Sequence, residues 1–473
     1  MQCKHLFDKE ENNALQSSRL NTHLSRCGSI KITKKSNEKN LIVFDVSHPN
    51  GLKNILKRRV FVKYDRDVTR VDDSILNIPA VAGIITVAWA FGIDVCIDTL
   101  DRSYLKSLEK IKQVMRHWHP YFPMTTQIHV NKVITNNFSN NGFGLLFTGG
   151  VDSTTSYIKY RRKKPTLFHV FEEDTHRSLN NKEATKLQKH LARFAKQERA
   201  QIHFLATNIP PGKKQQAALY KRYGFQWWEY LCHGIILTSL CAPLAFIENE
   251  GFLILASTRT PHTEFQDVFG FGDHPLIMNN LSWANVKVLL DGYEMSRQDK
   301  IQALRIFTQR TGCNPCIRVC NHPVVSNCSR CEKCIHTIMG LLVEGVDPRK
   351  VGFSNVDEEF FNHAKKYIER NMFLRKELVE KKGTFLMKKL KLESFREIQR
   401  SIPKYMNSSL PYSKGFFLWF NTLDLDLLYE SFKEMNLSQL LRLSLIHLYD
   451  QSPLHIRNLI KSLFKRSRFM LRH

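Results

Sequence analysis

The chain has 473 residues, 42% of them hydrophobic and 31 of them Phe, enough for several packed domains of about 100–200 residues each. Its sequence has no apolar run of the ~20 residues that a membrane span needs, and the polar start Met1-Gln2-Cys3-Lys4-His5 lacks the apolar core of a secretory signal, so a cytoplasmic protein without membrane contact is expected. Lys and Arg total 70 against 44 Asp and Glu, a net charge of +26, which favours nucleotides, RNA or an acidic partner protein on the basic surface.

Residues 1–40 are polar and without a clear period, and a loosely attached start is expected there. Leu41–Phe44 and Arg59–Tyr64 have strand character, Ile78–Trp89 is a helical apolar stretch, and Val95–Asp98 is a further strand. These make an α+β accessory domain over residues 41–140. Over 141–353 short apolar strands alternate with helical patterns: Gly144–Phe147, Leu167–Phe171, Ile202–Ala206, Phe252–Ala256 and Val286–Leu290. Such alternation predicts an α/β domain with a parallel sheet covered by helices. Residues 354–473 read as a basic helical extension broken at Pro403, Pro411 and Pro453.

The first of the central strands runs into Thr148-Gly149-Gly150-Val151-Asp152-Ser153. Two glycines allow a sharp turn and close approach of a ligand, and the backbone N–H groups of the turn, with the N-terminus of the following helix, form an anion site. Thr148 and Ser153 add hydroxyls. Asp152 at a phosphate site is costly unless it holds Mg²⁺ or caps the helix. No Gly-Lys-Ser/Thr follows, so this is not a Walker loop, and the third glycine of a dinucleotide fingerprint is missing.

Six of the 11 cysteines lie between Cys313 and Cys334, in a pattern suited to metal rather than disulfides. Cys320, Cys328, Cys331 and Cys334 form C-x7-C-x2-C-x2-C, a thiolate set suited to tetrahedral Zn²⁺ or to an iron–sulfur cluster. Cys313 and Cys316 add another C-x2-C, so the fourth ligand is less firmly assigned than the other three. His322 and His336 are weaker substitutes.

The hexapeptide 148–153 resembles the Ser-Gly-Gly-x-Asp-Ser loop of the PP-loop ATP pyrophosphatases, an adenine nucleotide alpha hydrolase-like superfamily, with Thr148 in place of the first Ser. The cysteine spacing, with Gly345-Val346-Asp347-Pro348 after it, is similar to that of 7-cyano-7-deazaguanine synthases. The resemblance covers roughly residues 142–353. It implies binding of ATP and Mg²⁺, a structural Zn²⁺, adenylation of a carboxylate or carbonyl oxygen with release of pyrophosphate, and displacement of AMP by a nitrogen nucleophile. It would place adenine against the backbone of Val170 and Phe171. The synthase's Arg-Asn and Tyr-Pro-Asp-Cys-Arg segments have no counterpart; Ala256–His262 and Gly272–Leu276 stand there instead. The chain therefore resembles a divergent branch of that family, of the kind found in some bacterial defence operons, and its acceptor is open: a small acid, a nucleobase or a protein terminus. A tRNA-thiolating enzyme using Cys313 or Cys316, and a nucleotide-binding component of a defence complex without turnover, are the competing readings.

Ligands of open α/β sheets sit beyond the carboxyl ends of strands. Glu172-Glu173-Asp174 are pocket acids or a solvated run. Ser257, with Thr258 and Arg259, lines the nucleotide or acyl pocket or simply forms a polar turn. Ser296 is a good cap for a helix carrying Arg297 and Lys300 one turn apart, either a pair that neutralises departing pyrophosphate or a surface pair. His262 and His274 are candidate acids or bases, and Asp273 a candidate for a metal or a substrate amine.

Overall fold

The computed structural model describes residues 28–426, apart from 138–140, 176–177, 224, 262–270, 321, 323–324, 373–384, 403–409 and 411. Its strands are β1 (Ile30–Glu38), β2 (Leu41–Ser47), β3 (Arg59–Tyr64), β4 (Val95–Asp101), β5 (Ile128–Ile134), β6 (Gly142–Leu146), β7 (Thr166–Glu172), β8 (Ile202–Thr207), β9 (Glu250–Ala256), β10 (Ser282–Trp283) and β11 (Val286–Asp291). The helices used below are α1 (Ile78–Phe91), α2 (Arg102–Trp118), α3 (Val151–Tyr160), α4 (Asn181–Glu198), α5 (Arg297–Thr311), α6 (Glu332–Val343), α7 (Glu358–Met372), α8 (Phe385–Ser401) and α9 (Ser413–Asn421).

All eleven strands belong to one sheet, in the order β10-β11-β9-β6-β7-β8-β3-β2-β1-β4-β5. From β11 to β8 every pairing is parallel, as the alternation of strands and helices predicts. β3 then joins β8 antiparallel through Val62 opposite Thr207 and Tyr64 opposite Leu205. The amino-terminal strands thus continue the central sheet. Segment 1–40, expected to be loose, contains β1: Ile30 and Ile32 are buried while Lys31 and Thr33 alternate outward or sideways, a two-residue period hidden by the many polar side chains.

The far ends of the strand order meet. Ala284, in the β10–β11 turn, donates its N–H to Oδ1 of Asp101 at the end of β4 (2.9 Å), and Ser107 of α2 bonds to Ser282. Inside this curl lie α1, buried on nearly every side, and the apolar helical run Trp228–Ile247, 20 residues long and 78% buried. That run is long and apolar enough to cross a membrane, which the sequence reading did not anticipate; here its apolar surface fills the core, with Tyr64 Oη donating to Leu240 O and Tyr104 Oη bonded to Ser239 Oγ.

Strand alternation divides the sheet's two faces. Leu146, Phe168, Leu253 and Leu255 face the core around α1, whereas Leu145, Phe147, Leu167 and Ile254 face α4 through Leu187 and Leu191. A separate core joins α3, α5 and α6 to the helical extension through Val151, Ile301, Ile338, Phe361 and Phe420. The extension is helical where described, in α7, α8 and α9; Pro403, Pro411, Pro453 and the basic end of the chain lie outside the described residues.

Candidate functional site

From β6 the chain proceeds to β7 and β8 on one side, then crosses to β9 and β11 on the other. The crevice beyond β6 and β9 is therefore the topological switch point where an open α/β sheet takes its ligand, and residues 148–153 sit there. Gly149 has φ +73°, a left-handed conformation that suits glycine, and Gly150 precedes the first residue of α3. Ser153 Oγ accepts from Thr148 N–H (3.3 Å) and lies 3.2 Å from Thr148 Oγ1, closing the turn on itself. Ser153 is buried and Thr148 exposed.

Asp152 lies in the first turn of α3 but does not cap it. Its carboxylate meets Lys300 Nζ at 3.1 Å and Arg297 Nη1 at 3.0 Å. Lys300 is only 3% exposed and also donates to Ser257 O at 2.6 Å, so one ammonium links the phosphate-type turn after β6 to the end of β9. Burial acts to raise the Asp152 carboxyl, but the charges of Arg297, Lys300 and Lys333 outweigh it and hold the group below the ordinary carboxylate range. The α5 start is set locally: Ser296 caps it and Asp299 returns the bond, a capping box that places Arg297 and Lys300 in the first turn. Gly292, at φ +71°, leaves room for the Lys300 stem, since a Cβ there would lie 3.2 Å from Lys300 Cε.

Ser257 is fully buried; its N–H donates to Asp291 O and its hydroxyl to Arg259 O (3.0 Å). It positions the β9 turn, and its carbonyl faces the Lys300 ammonium. β7 pairs with β6 only at Thr166, Leu167 and Phe168, so Val170 and Phe171 extend beyond the end of β6, beside the crevice. Their side chains pack into the two opposite cores. Asp174 approaches Lys57 (3.7 Å). His274 caps the short helix Pro275–Met278, its Nδ1 accepting from Leu276 N–H, an arrangement that occupies the nitrogen a base would use. Asp273 is buried, and His262 lies outside the described residues.

The sequence reading passed over Asp291. At the end of β11 and 5% exposed, it accepts from Ser156 Oγ (2.6 Å) and Lys159 Nζ (2.5 Å), fastening α3 to the sheet beside the crevice. An acidic residue closing the apolar run Val286–Leu290 was its only signal.

The second centre is the cysteine tetrad. The sulfurs of Cys320, Cys328, Cys331 and Cys334 all lie within 4.8 Å of one another, with Cys320 to Cys331 and Cys328 to Cys334 both 3.9 Å. Four thiolates ~2.3 Å from one ion stand about 3.8 Å apart at the corners of a tetrahedron. The set could hold a metal ion such as Zn²⁺, and so close a grouping leaves little room for several irons. Cys328 Sγ accepts from the N–H groups of Arg330 (3.4 Å) and Cys331 (3.2 Å), and Ser329 takes φ +57° to turn the knuckle. Cys331 caps α6 and Cys334 lies in its first turn. Contact with the Cys331 thiol, then burial, pushes the Cys334 thiol far up, so a cation is what would let these sulfurs ionise together. Cys313 and Cys316 are exposed and outside the tetrad; Cys320 takes the fourth position.

The two centres are joined by the strap 316–320. Arg318 N–H donates to Gly149 O at 2.8 Å, and Ile317 N–H to Val351 O. Buried Asn327 holds the strap from behind, accepting from the N–H groups of Val319 and Cys320 and donating to Ile317 O and Gly352 O. No family model, curated protein or solved structure matches the chain.

Proposed function

We propose that the chain is an ATP-dependent synthase that adenylates a carboxylate or carbonyl oxygen, releases pyrophosphate, and transfers the activated group to a nitrogen nucleophile. The observation that carries this reading is the Asp152–Lys300–Ser257 link across the β6/β9 crevice, next to a glycine turn whose N–H groups suit phosphate oxygens. Arg297 and Lys300 would meet the charge building on departing pyrophosphate. Thr148 and Ser153 would add hydroxyl contacts, and Val170 and Phe171 would border the adenine. Asp152 is the carboxylate able to hold Mg²⁺, which when bound supplies charge neutralisation along the phosphates. In that state Asp152 exchanges its two cationic partners for the metal and frees them for the nucleotide. The tetrad serves as a structural Zn²⁺ site.

A thiol-using reading has one observation in its favour: Cys313 and Cys316 are exposed and separate from the tetrad. Pyrophosphate release from ATP and Mg²⁺, in the presence of candidate small acids, RNA and protein termini, tests the main reading. Loss of release in Asp152→Asn with metal content unchanged is expected. Unaltered ATP affinity and release in that variant would end the assignment, while retained release in Cys313→Ser/Cys316→Ser would exclude the thiol alternative.

A further inference from the structure

A cleft of about 440 Å³ opens between α4 and the strap, walled by Lys186, His190, Cys316, Arg318 and Asn327. That volume suits a small molecule. It borders the glycine turn directly: Arg318 carries the N–H bonded to Gly149 O, and Leu191, next to His190, would touch a Cβ placed on Gly149 at 3.1 Å. Its charge is lopsided. Lys186 and Arg318 line it, and Arg193 lies close enough to act on both His190 and Cys316. The one acidic group lining it, Glu183, is engaged by Lys186 Nζ (2.6 Å) and Val325 N–H (2.9 Å). Burial, with these arginines, favours neutral His190, so the imidazole adds hydrogen-bonding capacity rather than fixed charge. Arg318 Nη2 reaches His322 O only at 3.5 Å, a weak bond.

We propose that this cleft is the acceptor pocket, and that it takes a small molecule through a carboxylate held between Lys186 and Arg318. The assignment rests on the adenylation reading for its role, since an acceptor carboxylate beside the turn is placed to meet a nucleotide bound there. It narrows the acceptor from a nucleobase in RNA or a folded partner to a small acid.

The exposed thiol of Cys316 lets the cleft be probed without ATP. Iodoacetate and iodoacetamide alkylate the same thiolate, so the ratio of their rates cancels the thiol's own ionisation and reports the local potential. Cys313, exposed and outside the cleft lining, is the internal reference. At low salt the iodoacetate-to-iodoacetamide ratio at Cys316 is expected to exceed that at Cys313 severalfold and to fall at least twofold in Lys186→Glu. Unchanged rates at Cys313 would show that the variant is folded. Equal ratios at the two cysteines, or no response to Lys186→Glu, would overturn the proposal. Acetate and inorganic phosphate serve as competitors: acetate protection of Cys316 from iodoacetamide supports a carboxylate pocket, and protection by phosphate alone would refute it. None of these readings depends on turnover, so failure here is distinguishable from retained pyrophosphate release in Asp152→Asn.

Discussion

The backbone N–H of Arg318 is bonded to the carbonyl of Gly149 at 2.8 Å, two residues from the first cysteine of the tetrad. The left-handed glycine of the anion turn is therefore held by the same strap that closes the metal site. Stripping the metal with a strong chelator is expected to release Cys320, loosen the strap and weaken ATP binding, although no tetrad sulfur is placed to meet the nucleotide. Elemental analysis should give about one Zn²⁺ per chain before treatment. Calorimetry on apo and reloaded protein checks the coupling, which fails if ATP affinity survives complete metal removal. Cys331→Ser should lower thermal stability as well, because structural zinc binding is coupled to folding.

Asn327 makes four hydrogen bonds to the strap and to Gly352 from a buried position. Asn327→Ala strands two buried N–H groups and two carbonyls, with an expected cost of roughly 2–4 kcal/mol given ~1 kcal/mol per bond and an added penalty for unsatisfied groups. Asn327→Asp should also destabilise, since a carboxylate keeps the two acceptor roles but cannot donate to Ile317 O and Gly352 O. Denaturant melts of both variants test this; a neutral Asn327→Asp would contradict the assigned amide orientation.

What could be read in advance followed from local chemistry. The strands of the parallel region announce themselves as apolar runs because both of their faces are buried: Leu145 and Leu146 face different cores. The Ser296 cap and the C-x2-C-x2-C knuckle are likewise short-range. The β3–β8 junction was not legible, because pairing between Tyr64 and Leu205 is a matter of tertiary placement. Nor was Asn327, a single polar residue whose importance comes from four backbone groups gathered around it. Arg297 and Lys300 were expected as a pair on one face, yet their common partner Asp152 lies far away in sequence, at the start of another helix. β1 was lost for a different reason: only Ile30 and Ile32 mark its buried face.

Glu250, at the start of β9 and 2% exposed, has its carboxyl raised to about 7, first by burial and further by Glu248, against the opposing pull of Thr166 and His203. A carboxyl raised in the folded state binds more protons folded than unfolded between pH ~4.5 and ~7, so stability falls as pH rises through that window. Glu250→Gln removes the titration and keeps an amide able to bond Thr166. It should be near neutral at pH 4.5 and stabilising by up to about 3 kcal/mol at pH 8, from ~1.4 kcal/mol per unit. Thermal melts of both proteins across pH 4.5–8 measure the difference, and parallel curves would show that Glu250 titrates normally.

Lys300 and Asp152 form the most deeply placed ion pair at the crevice, with exposures of 3% and 15%. Removing either partner leaves the other's charge in a poorly solvated place, and breaking such a pair typically costs ~3–5 kcal/mol. Arg297 still neutralises Asp152 in Lys300→Met, so that variant should fall at the low end of the range. In Asp152→Asn the Lys300 ammonium keeps Ser257 O as a partner, with the same expectation. The double variant, lacking both charges, should lose less stability than the sum of the two singles, and a double-mutant cycle reads the difference. Because the Asp152 carboxyl is depressed in the folded state, its contribution is fully present above the usual carboxylate pKa and fades as pH falls through the lowered one. The coupling should therefore persist at pH 5 and diminish in stronger acid. A cycle showing strict additivity at neutral pH would mean that Asp152 and Lys300 are held independently, and would remove the link across the crevice from which the nucleotide reading starts.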